Sequence, residues 1–360
     1  PRTTHLVTRI VVAGAGAIGA SVAYHLALAG GGDVLLVDAG EVAGGATSKA
    51  MGGVRQQFST VAEVRLARDS IGFFEELGPP YFHQVGYLFL ATTEEGVAAL
   101  EERRAVQAEL GVPIEWVDAE RVDAFAPGVR KDDVLGGTIC PTDGVGDPAA
   151  VTQELVRRAR ELGVAVHERT RVEDVERDVV VIACGAYSAD VGKSYDVELP
   201  VRPLCRQLIE TSRVAGLPDG LPMVLEAESG FHFRRRGDRL VLAMVDPVPR
   251  WGFDEAVDES LFADRLARLA YRYPAAEQAT VASAWAGLYD MTPDAHPVIG
   301  RVADGVYAAC GFSGHGFMQA PAVGRALAEE ILEGESSFDL SPYRLERFAE
   351  NAVFPEHVVL

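Results

Sequence analysis

The sequence of 360 residues predicts an α/β fold, in which a Rossmann-like domain is interleaved with an α+β domain built on a mostly antiparallel sheet. A strand, a glycine loop, a helix and a second strand follow one another within residues 9–38. A second strand, glycine loop and helix occupy residues 306–332. Between them, residues 200–280 contain segments in which apolar and polar side chains alternate, as in half-buried antiparallel strands.

The first of these units has the parts of a dinucleotide-binding site. Arg9–Ala13 is typical of a buried strand, and Gly14–Gly19 reads G-A-G-A-I-G, a G-x-G-x-x-G motif. Its glycines permit a tight turn, let a pyrophosphate approach the helix N-terminus, and let the helix pack on the strand. Asp38 ends the second strand about 20 residues later, where a carboxylate can bind ribose hydroxyls. The motif leaves NAD and FAD open.

Length and charge limit the classes of protein that the sequence can encode. The chain is longer than the ~250–300 residues at which a single hydrophobic core stops growing, so we predict two domains. The formal net charge of −20 argues against nucleic acid and anionic membranes as partners. We predict no membrane span and no metal site, because apolar runs are short and no metal-ligand spacing occurs. The lack of a signal peptide and the four scattered cysteines predict free thiols and a cytoplasmic protein.

Cap and turn residues place the other elements. Thr60 is expected to begin one helix, which Gly78 ends, and Asp147 followed by Pro148 begins another. The remaining predicted elements are strands at 85–90, 164–167, 179–185, 201–211, 231–236, 239–245 and 306–310, helices at 94–110 and 262–273, a helix opened by 319–324, and a turn-rich segment at 136–146. The segment 41–58 is too long and too rich in glycine to be a simple connection between elements, so we predict that it is a functional loop.

Several of these motifs together resemble the FAD-dependent amino-acid oxidase superfamily. The likeness depends on Tyr289–Asp294 (Y-D-M-T-P-D) and Gly311–Phe317 (G-F-S-G-H-G-F), combined with the N-terminal motif. Within that superfamily the chain is most similar to the branch that holds sarcosine oxidase β subunits and the β subunit of FAD-linked L-proline dehydrogenases. Segments 53–58, 85–90, 141–144 and 320–324 strengthen this likeness, which runs in order along nearly the whole chain.

The resemblance implies a division into domains and a set of FAD contacts. A GR2-type FAD-binding domain would comprise residues 1–80, 145–200 and 281–360, and a substrate-binding domain would comprise 81–144 and 201–280. The implied cofactor-binding residues are Gly14, Gly16, Ala17, Ile18, Gly19, Asp38, Ala39, Thr47, Ser48, Gly52, Gly53, Val172, Gly185, Gly287, Gly311, Phe312, Ser313, Gly314, His315, Gly316, Phe317 and Met318. Asp38 would bind ribose, Thr47 and Ser48 would lie near the pyrophosphate, and Val172 near adenine.

Four departures from the family refine these expectations. Gly287 stands where monomeric sarcosine oxidases carry the cysteine that bonds the flavin, so we expect non-covalent FAD. Val241 and Met318 replace two lysines of those oxidases, which favours a dehydrogenase with another electron acceptor over an oxidase. Residues 171–178 are shorter than the family's β excursion at this point, so either that hairpin is absent or a loop is missing from the numbering.

The expected reaction is oxidation of the C–N bond of a small secondary amine or amino acid, such as proline or sarcosine, by hydride transfer to flavin N5. Arg55 is the predicted partner of the substrate carboxylate, and its alternative is a structural bond to a nearby carboxylate or carbonyl. His315 either donates to the flavin or, as we favour, supports its loop. Tyr289 and His232 either contact substrate or belong to the core.

Two other classes of function stay open. A non-catalytic flavoprotein, serving as a subunit or assembly factor of a larger complex, would keep every flavin motif. An NAD-dependent dehydrogenase would keep the first glycine motif but would leave Gly311–Phe317 without a purpose. The specific amine, the electron acceptor and the choice among monomer, homo-oligomer and hetero-oligomer are not fixed by the sequence.

Overall fold

The computed structural model describes residues 8–358. The chain divides into two compact units. Unit 1 comprises Pro1–Ala50, Asp147–Leu204 and Leu288–Glu356, and unit 2 comprises Met51–Gly146, Cys205–Gly287 and His357–Leu360. This division differs from the predicted domains chiefly at residues 51–80, which belong to unit 2.

The strands and helices are numbered in chain order along the described residues. The strands are β1 Arg9–Ala13, β2 Asp33–Val37, β3 Gly53–Val54, β4 Phe82–His83, β5 Tyr87–Ala91, β6 Glu115–Val117, β7 Gly136–Cys140, β8 Gly144–Gly146, β9 Ala165–His167, β10 Val179–Ile182, β11 Arg202–Thr211, β12 Met223–Glu226, β13 His232–Arg236, β14 Arg239–Ala243, β15 Arg250–Trp251, β16 Val281–Met291, β17 Val298–Ala303 and β18 Val306–Cys310. The helices are α1 Ala17–Leu28, α2 Ala46–Lys49, α3 Val61–Leu77, α4 Glu94–Glu109, α5 Val122–Phe125, α6 Pro148–Glu161, α7 Ser188–Lys193, α8 Phe262–Arg272 and α9 Gly316–Glu333.

Unit 1 is built on a six-stranded sheet in the order β17-β18-β10-β1-β2-β9. Its strands pair in parallel except for the β17–β18 hairpin at one edge. The central strand β1 is apolar because both of its faces are covered, and Val11 lies opposite Val180 on one side and Leu35 on the other. Helix α1 packs against α6 and α9, and a Cβ at Gly324 of α9 would overlap Ser21 of α1. Unit 1 is therefore a Rossmann-like α/β unit, as predicted.

Unit 2 contains a nine-stranded mixed sheet in the order β15-β11-β14-β13-β12-β5-β7-β6, with β16 paired to β11. Strand β12 pairs in parallel with β5, whereas β11–β14, β12–β13, β13–β14, β5–β7 and β6–β7 are antiparallel pairs. A small sheet, β3-β8-β4, explains why residues 51–80 belong to this unit, because helix α3 connects two of its strands. Phe231 and Phe233 are fully buried in the main core of this unit.

The predicted caps of two helices are confirmed. The Thr60 hydroxyl accepts the N–H of Glu63 at the start of α3, and the Asp147 carboxylate accepts the N–H of Ala150 at the start of α6. The turn-rich interpretation of 136–146 was wrong, since β7 and β8 occupy most of that segment. Its glycines mark close packing instead of turns, because a Cβ at Gly137 would overlap the carbonyl oxygen of Phe89 on the neighbouring strand.

Helix α9 begins one turn earlier than the sequence predicted. We expected Pro321 in the first turn of a helix opened by residues 319–324, but α9 starts at Gly316 and contains Pro321 in its interior. The loop ahead of the helix is correspondingly shorter than predicted. This earlier start places Phe317 and Met318 inside the helix, where both are buried.

Three further observations concern the part of the chain that the structure describes. Within residues 8–358 no helix combines the length and apolarity needed to cross a membrane. Over the same range, His, Cys, Asp and Glu side chains form no group that could hold a metal ion. The four cysteines are free thiols, and three of them are buried.

Candidate functional site

The predicted cofactor contacts of unit 1 gather at one edge of its sheet. The carboxyl ends of four neighbouring strands, β18, β10, β1 and β2, lead into Gly311, Gly185, Gly14 and Asp38. Parallel strands end at a common edge, and only β10 separates the strands that carry the two glycine loops. At about 4.8 Å per strand, the two loops start roughly 10 Å apart. Segments that are almost 300 residues apart in sequence thus meet at a carboxyl edge, where open α/β sheets bind ligands.

The first glycine loop leaves no space for side chains at its turn. Gly14 has a φ of +102°, and a Cβ there would overlap the carbonyl oxygen of Ala183. A Cβ at Gly19 would overlap the carbonyl oxygen of Gly14. A Cβ at Gly16 would lie 3.0 Å from the Thr47 hydroxyl. The motif therefore brings bare backbone to the start of α1, as a phosphate cradle requires.

Asp38 is fixed by the backbone that it faces. Its Oδ2 accepts the N–H of Ala15 at 2.6 Å, and its Oδ1 accepts the N–H of Gly40 at 2.7 Å. Each carboxylate oxygen has further acceptor capacity, so a ribose hydroxyl can still bind. Ala39, between Asp38 and Gly40, is exposed.

The predicted hydroxyl residues differ in what they contact. Thr47 Oγ1 accepts the N–H of Ala17 at 3.1 Å, at the first residue of α1. Ser48 is exposed and donates to the carbonyl of Gly45 at 3.1 Å, within its own turn. Thr47 thus belongs to the glycine loop, whereas the Ser48 hydroxyl supports the segment that carries Thr47.

The second glycine loop is attached to the end of β16 through Asp290. The Asp290 carboxylate accepts the N–H of Gly311 at 2.7 Å, and its carbonyl accepts the N–H of Ser313 at 3.1 Å. Burial raises the pKa of Asp290, although main-chain N–H groups of the loop lower it in part. Ser313 is fully buried and has a φ of +53°, a strained value for a side-chain-bearing residue.

Tyr289 and His315 support the same loop. Gly314 has a φ of +95°, and a Cβ there would overlap the ring of Tyr289, so this ring packs directly under the loop. His315 is buried, and its main-chain N–H donates to the carbonyl of Phe312 at 2.9 Å, immediately before α9. A Cβ at Gly316 would lie 3.2 Å from that of Phe312. The loop therefore delivers the N–H groups of the first turn of α9 to the sheet edge.

Two other predicted cofactor residues complete unit 1. Val172 is buried in the core cluster formed around the strands of the unit, in a 3-10 turn that follows β9. Gly185 has a φ of +51° at the end of β10. The structure thus brings the glycine loops, Asp38, Thr47 and Gly185 to one edge of unit 1. Gly52, Gly53, Arg55, His232 and Gly287 belong to unit 2.

Arg55 lies immediately after β3 in unit 2 and is 1% exposed. Its Nη1 donates to the carbonyl of Gln57, and its Nη2 donates to the carbonyl of Val358 at 2.8 Å. The guanidinium carbon stands 4.0 Å from the centre of the Phe58 ring. These contacts are the ones expected if Arg55 has a structural role, which was the alternative given above. Its role in binding a substrate carboxylate stays a prediction. Just before it, a Cβ at Gly53 would lie 2.9 Å from the sulfur of Met223.

His232 is a neutral, buried imidazole. Its Nδ1 donates to the carbonyl of Gly230 at 2.8 Å, so the lone pair of the neutral ring lies on Nε2. Burial, with a smaller contribution from the positive charge of Arg55, lowers the pKa of His232 to about 4. A group with this pKa is uncharged at neutral pH and can accept a hydrogen bond at Nε2.

Sequence reasoning missed the two carboxylates that organise these regions. Asp290 and Asp143 lie in Y-D-M-T-P-D and P-T-D-G, motifs that carry the family resemblance but that predicted no role for either aspartate. For Asp290, the signal that could have found it is an acidic residue within the apolar strand β16, whereas no local pattern of this kind surrounds Asp143. A third, Asp294, is 2% exposed and pairs with the buried Arg347, which ties the C-terminal segment to the end of β16.

The chain matches known proteins along nearly its whole length. Residues 9–330 match the DAO family, whose description is FAD dependent oxidoreductase. The chain is 31% identical to FAD-dependent oxidoreductase domain-containing protein 1 of Bos taurus, over 98% of this chain and 87% of that protein. It is 28% identical to the 4-methylaminobutanoate oxidase (formaldehyde-forming) of Paenarthrobacter nicotinovorans, over 97% of this chain but only 46% of that protein, so it spans about half of that relative.

The fold is also similar to solved structures. The L-proline dehydrogenase from P. horikoshii superimposes with a TM-score of 0.90 at 27% identity, and the alignment covers 96% of this chain and 99% of that chain. This agrees with the Rossmann-like unit and the sheet-based second unit described above. The chain belongs to the DAO family of FAD-dependent oxidoreductases.

Proposed function

We propose that this chain binds FAD non-covalently through unit 1 and oxidises the C–N bond of a small secondary amine or amino acid, such as proline or sarcosine. We further propose that the electron acceptor is not O₂. The proposal depends on one observation: both glycine loops lie at one edge of the sheet, together with Gly185 and Asp38. The relatives named as an L-proline dehydrogenase and a 4-methylaminobutanoate oxidase support this class of substrate.

The residues at that edge fit an FAD molecule. The turn at Gly14 and Gly19 admits only backbone, as an approaching pyrophosphate requires, and Asp38 has acceptor capacity left for ribose. Helices α1 and α9 both begin at this edge, so their N-termini would favour negative charge. When bound, FAD supplies the acceptor for a hydride from the carbon next to the substrate nitrogen. Non-covalent binding is proposed because Gly287 offers no side chain for a bond.

Arg55 would hold the carboxylate of the substrate. Its guanidinium lies over the Phe58 ring and is fixed on one side by the carbonyl of Gln57. The bond from Nη2 to the Val358 carbonyl is the one that a carboxylate would replace, because a charged acceptor binds guanidinium more strongly than a neutral one does. In this proposal Arg55 determines that the substrate is an amino acid rather than a simple amine.

His232 would orient the substrate and would not act as a general base. A base with a pKa of about 4 is some six units weaker than an amine with a pKa near 10, which amounts to roughly 8 kcal/mol against proton transfer. The lone pair on Nε2 can accept a hydrogen bond from the substrate. The amine would therefore lose its proton to solvent before oxidation.

An anaerobic titration tests the proposed function. Purified protein is mixed with proline, sarcosine and other amino acids in the absence of O₂, and the visible absorbance of the flavin is followed. We expect one secondary amino acid to bleach the yellow protein and an artificial dye to restore its colour faster than air does. A yellow protein that no amine bleaches would instead favour the non-catalytic flavoprotein. A colourless protein that binds NAD would exclude FAD as the cofactor.

A further inference from the structure

Unit 2 contains a buried carboxylate that the proposed mechanism does not yet use. Asp143 is fully buried between β7 and β8. Its Oδ1 accepts the main-chain N–H and the side-chain Nε2 of Gln56, both at 3.0 Å, and its Oδ2 accepts Nε2 of Gln57 at 3.2 Å. Three amide donors of two successive residues therefore converge on one side chain.

These contacts connect Asp143 to Arg55. The carbonyl of Gln57 accepts a hydrogen bond from the Arg55 guanidinium. On the other side of Arg55, Val54 pairs with Gly144, the residue that follows Asp143. The loop around Asp143 thus holds the Arg55 segment both before and after the arginine, and it does so with one carboxylate and one strand pair.

The side chain of Gln57 is fixed at every polar atom. Its Nε2 also donates to the carbonyl of Tyr87 at 2.8 Å, and its Oε1 accepts the Thr138 hydroxyl at 2.9 Å. The Gln57 amide therefore has one orientation, with Nε2 toward Asp143. A neutral Asn at position 143 could turn its own amide nitrogen toward these donors, so the arrangement calls for a group that only accepts.

The energetic cost of Asp143 indicates that it serves more than packing. Its hydrogen bonds within the described residues come from neutral groups, and a buried carboxylate without a cationic partner is expensive. Burial raises the pKa of Asp143 to about 6, although the Gln56 and Gln57 amides lower it in part. Such costly groups concentrate where a precise geometry is needed.

We propose that Asp143 is a positioning residue for the substrate-carboxylate site, because it holds Gln56 and Gln57 in the arrangement that directs the Arg55 guanidinium. This inference rests on the proposed role of Arg55. It assigns to Asp143 an effect on the binding of carboxylate-bearing ligands, with no contact between Asp143 and the substrate. Ligands that lack a carboxylate should not sense the change.

The test measures binding, so it does not depend on turnover. The flavin-containing protein is titrated calorimetrically with pyrrole-2-carboxylate, which mimics proline but has no α hydrogen to give, and with pyrrole as the probe without a carboxylate. For Asp143→Asn we expect affinity for pyrrole-2-carboxylate to fall at least about tenfold and affinity for pyrrole to change less than about twofold. Gln57→Met removes the Gln57 donor to Asp143 and should weaken binding of pyrrole-2-carboxylate in the same way. It keeps the test decisive if Asp143→Asn does not fold.

A matched control separates positioning from general loss of stability. Asp133→Asn removes a carboxylate from the same unit, where it pairs with Arg272 and not with Gln56 or Gln57. We expect it to leave both affinities within about twofold of the parent. If it weakens pyrrole-2-carboxylate as much as Asp143→Asn does, or if both test variants bind normally, the inference is wrong.

The outcomes also distinguish this inference from the proposed function. A parent protein that does not bind pyrrole-2-carboxylate overturns the inference, because no carboxylate site exists for Asp143 to shape. A parent protein that binds the probe but is bleached by no amine counts against the proposed reaction and leaves the positioning role to be decided by the variants. Weakened binding in the two variants, together with a normal Asp133→Asn control, supports the role of Asp143.

Discussion

The two candidate regions of this molecule are built on opposite physical principles. At the sheet edge of unit 1, backbone and glycine form the site, and side chains such as Asp38, Asp290 and Tyr289 support the loops from below. Around Arg55 in unit 2, buried polar side chains form the site, and their amides, carboxylate and guanidinium fix one another. The first region should tolerate no added atom, and the second should tolerate no lost hydrogen bond.

The largest expected effect is at Gly14. Gly14→Ala adds a Cβ that would overlap the Ala183 carbonyl oxygen, at a φ of +102°. We expect the purified protein to lose its flavin, with FAD affinity lowered by at least about two orders of magnitude, because main-chain atoms cannot move aside. The measurement is the flavin-to-protein absorbance ratio, followed by titration with FAD.

Gly163→Ala is the matched control for that variant. Gly163 has a similar φ of +97°, but no atom lies within 4 Å of a Cβ built there. It should cost only the backbone strain, about 1–2 kcal/mol of folding free energy, and keep the flavin. Equal flavin loss in both variants would show that strain, and not the close approach of strand β10 to the loop, explains the effect.

The next effect in size is expected at Arg55, where the substitution removes a hydrogen-bonding partner instead of adding an atom. Arg55→Ala should raise KM for a carboxylate-bearing substrate by about 100-fold, the size of a lost charge-assisted pair, while flavin content stays the same. Arg55→Lys should recover only part of this loss, since an ammonium cannot bond two acceptors in the plane that Phe58 supports. Steady-state kinetics with proline or sarcosine provide the measurement, and an unchanged KM would remove Arg55 from this role.

The contrast also explains what the sequence could predict. The segment Gly14–Gly19 contains three functional glycines within six residues, so it can be recognised locally. Its proximity to Gly311–Phe317 follows from the general rule that neighbouring parallel strands end at the same edge of a sheet. The Rossmann-like fold, the family and the capped helices were therefore accessible. The glycines of 136–146 were misread because their meaning depends on strands β5 and β6, which pair with β7 from elsewhere in the chain.

The polar network of unit 2 could not be found from sequence. Gln56 and Asp143 are 87 positions apart, and neither residue type predicts a buried site. Arg55 was chosen for its position after two glycines, yet no local pattern indicates that the Gln57 and Val358 carbonyls bind it. Long-range hydrogen bonds among common residue types produce no recognisable pattern at neighbouring positions in the sequence. Close approach of two backbones, in contrast, requires glycine and is therefore visible in the sequence.

His232 offers a pH-dependent test of the polar region. Its pKa is about 4 in the folded protein and 6.5 as the ordinary value, so between these values the unfolded chain binds more protons. The contribution of His232 to the free energy of unfolding should therefore fall as pH decreases through this window, by about 2 kcal/mol at pH 5 relative to neutral pH. Asp143, whose pKa of about 6 is raised, acts in the opposite direction, because its folded form binds the extra proton.

Comparison of His232→Gln with the parent protein isolates the histidine contribution. Gln cannot titrate, so its stability difference from the parent should shift in favour of the variant by about 2 kcal/mol between pH 7.5 and pH 5. Urea unfolding at both pH values, monitored by tryptophan fluorescence, measures the shift. A difference that is the same at both pH values would mean that the pKa of His232 is the same in the folded and the unfolded protein, which would contradict the prediction.

The smallest expected effect is at Asp290, where the two principles meet, because a side chain fixes a glycine loop. Asp290→Asn keeps the shape but replaces the acceptor that the Gly311 N–H uses, and it removes a carboxylate whose pKa burial already raises. The amide oxygen of Asn can still accept one main-chain bond, so we expect only about a tenfold loss of FAD affinity, and Asp290→Ala should lose more. Flavin titration of the two apoproteins measures both values. If Asp290→Asn and Asp290→Ala bind FAD as the parent does, the loop is held by Ser313 and Tyr289 alone, and the backbone-built region needs no carboxylate beneath it.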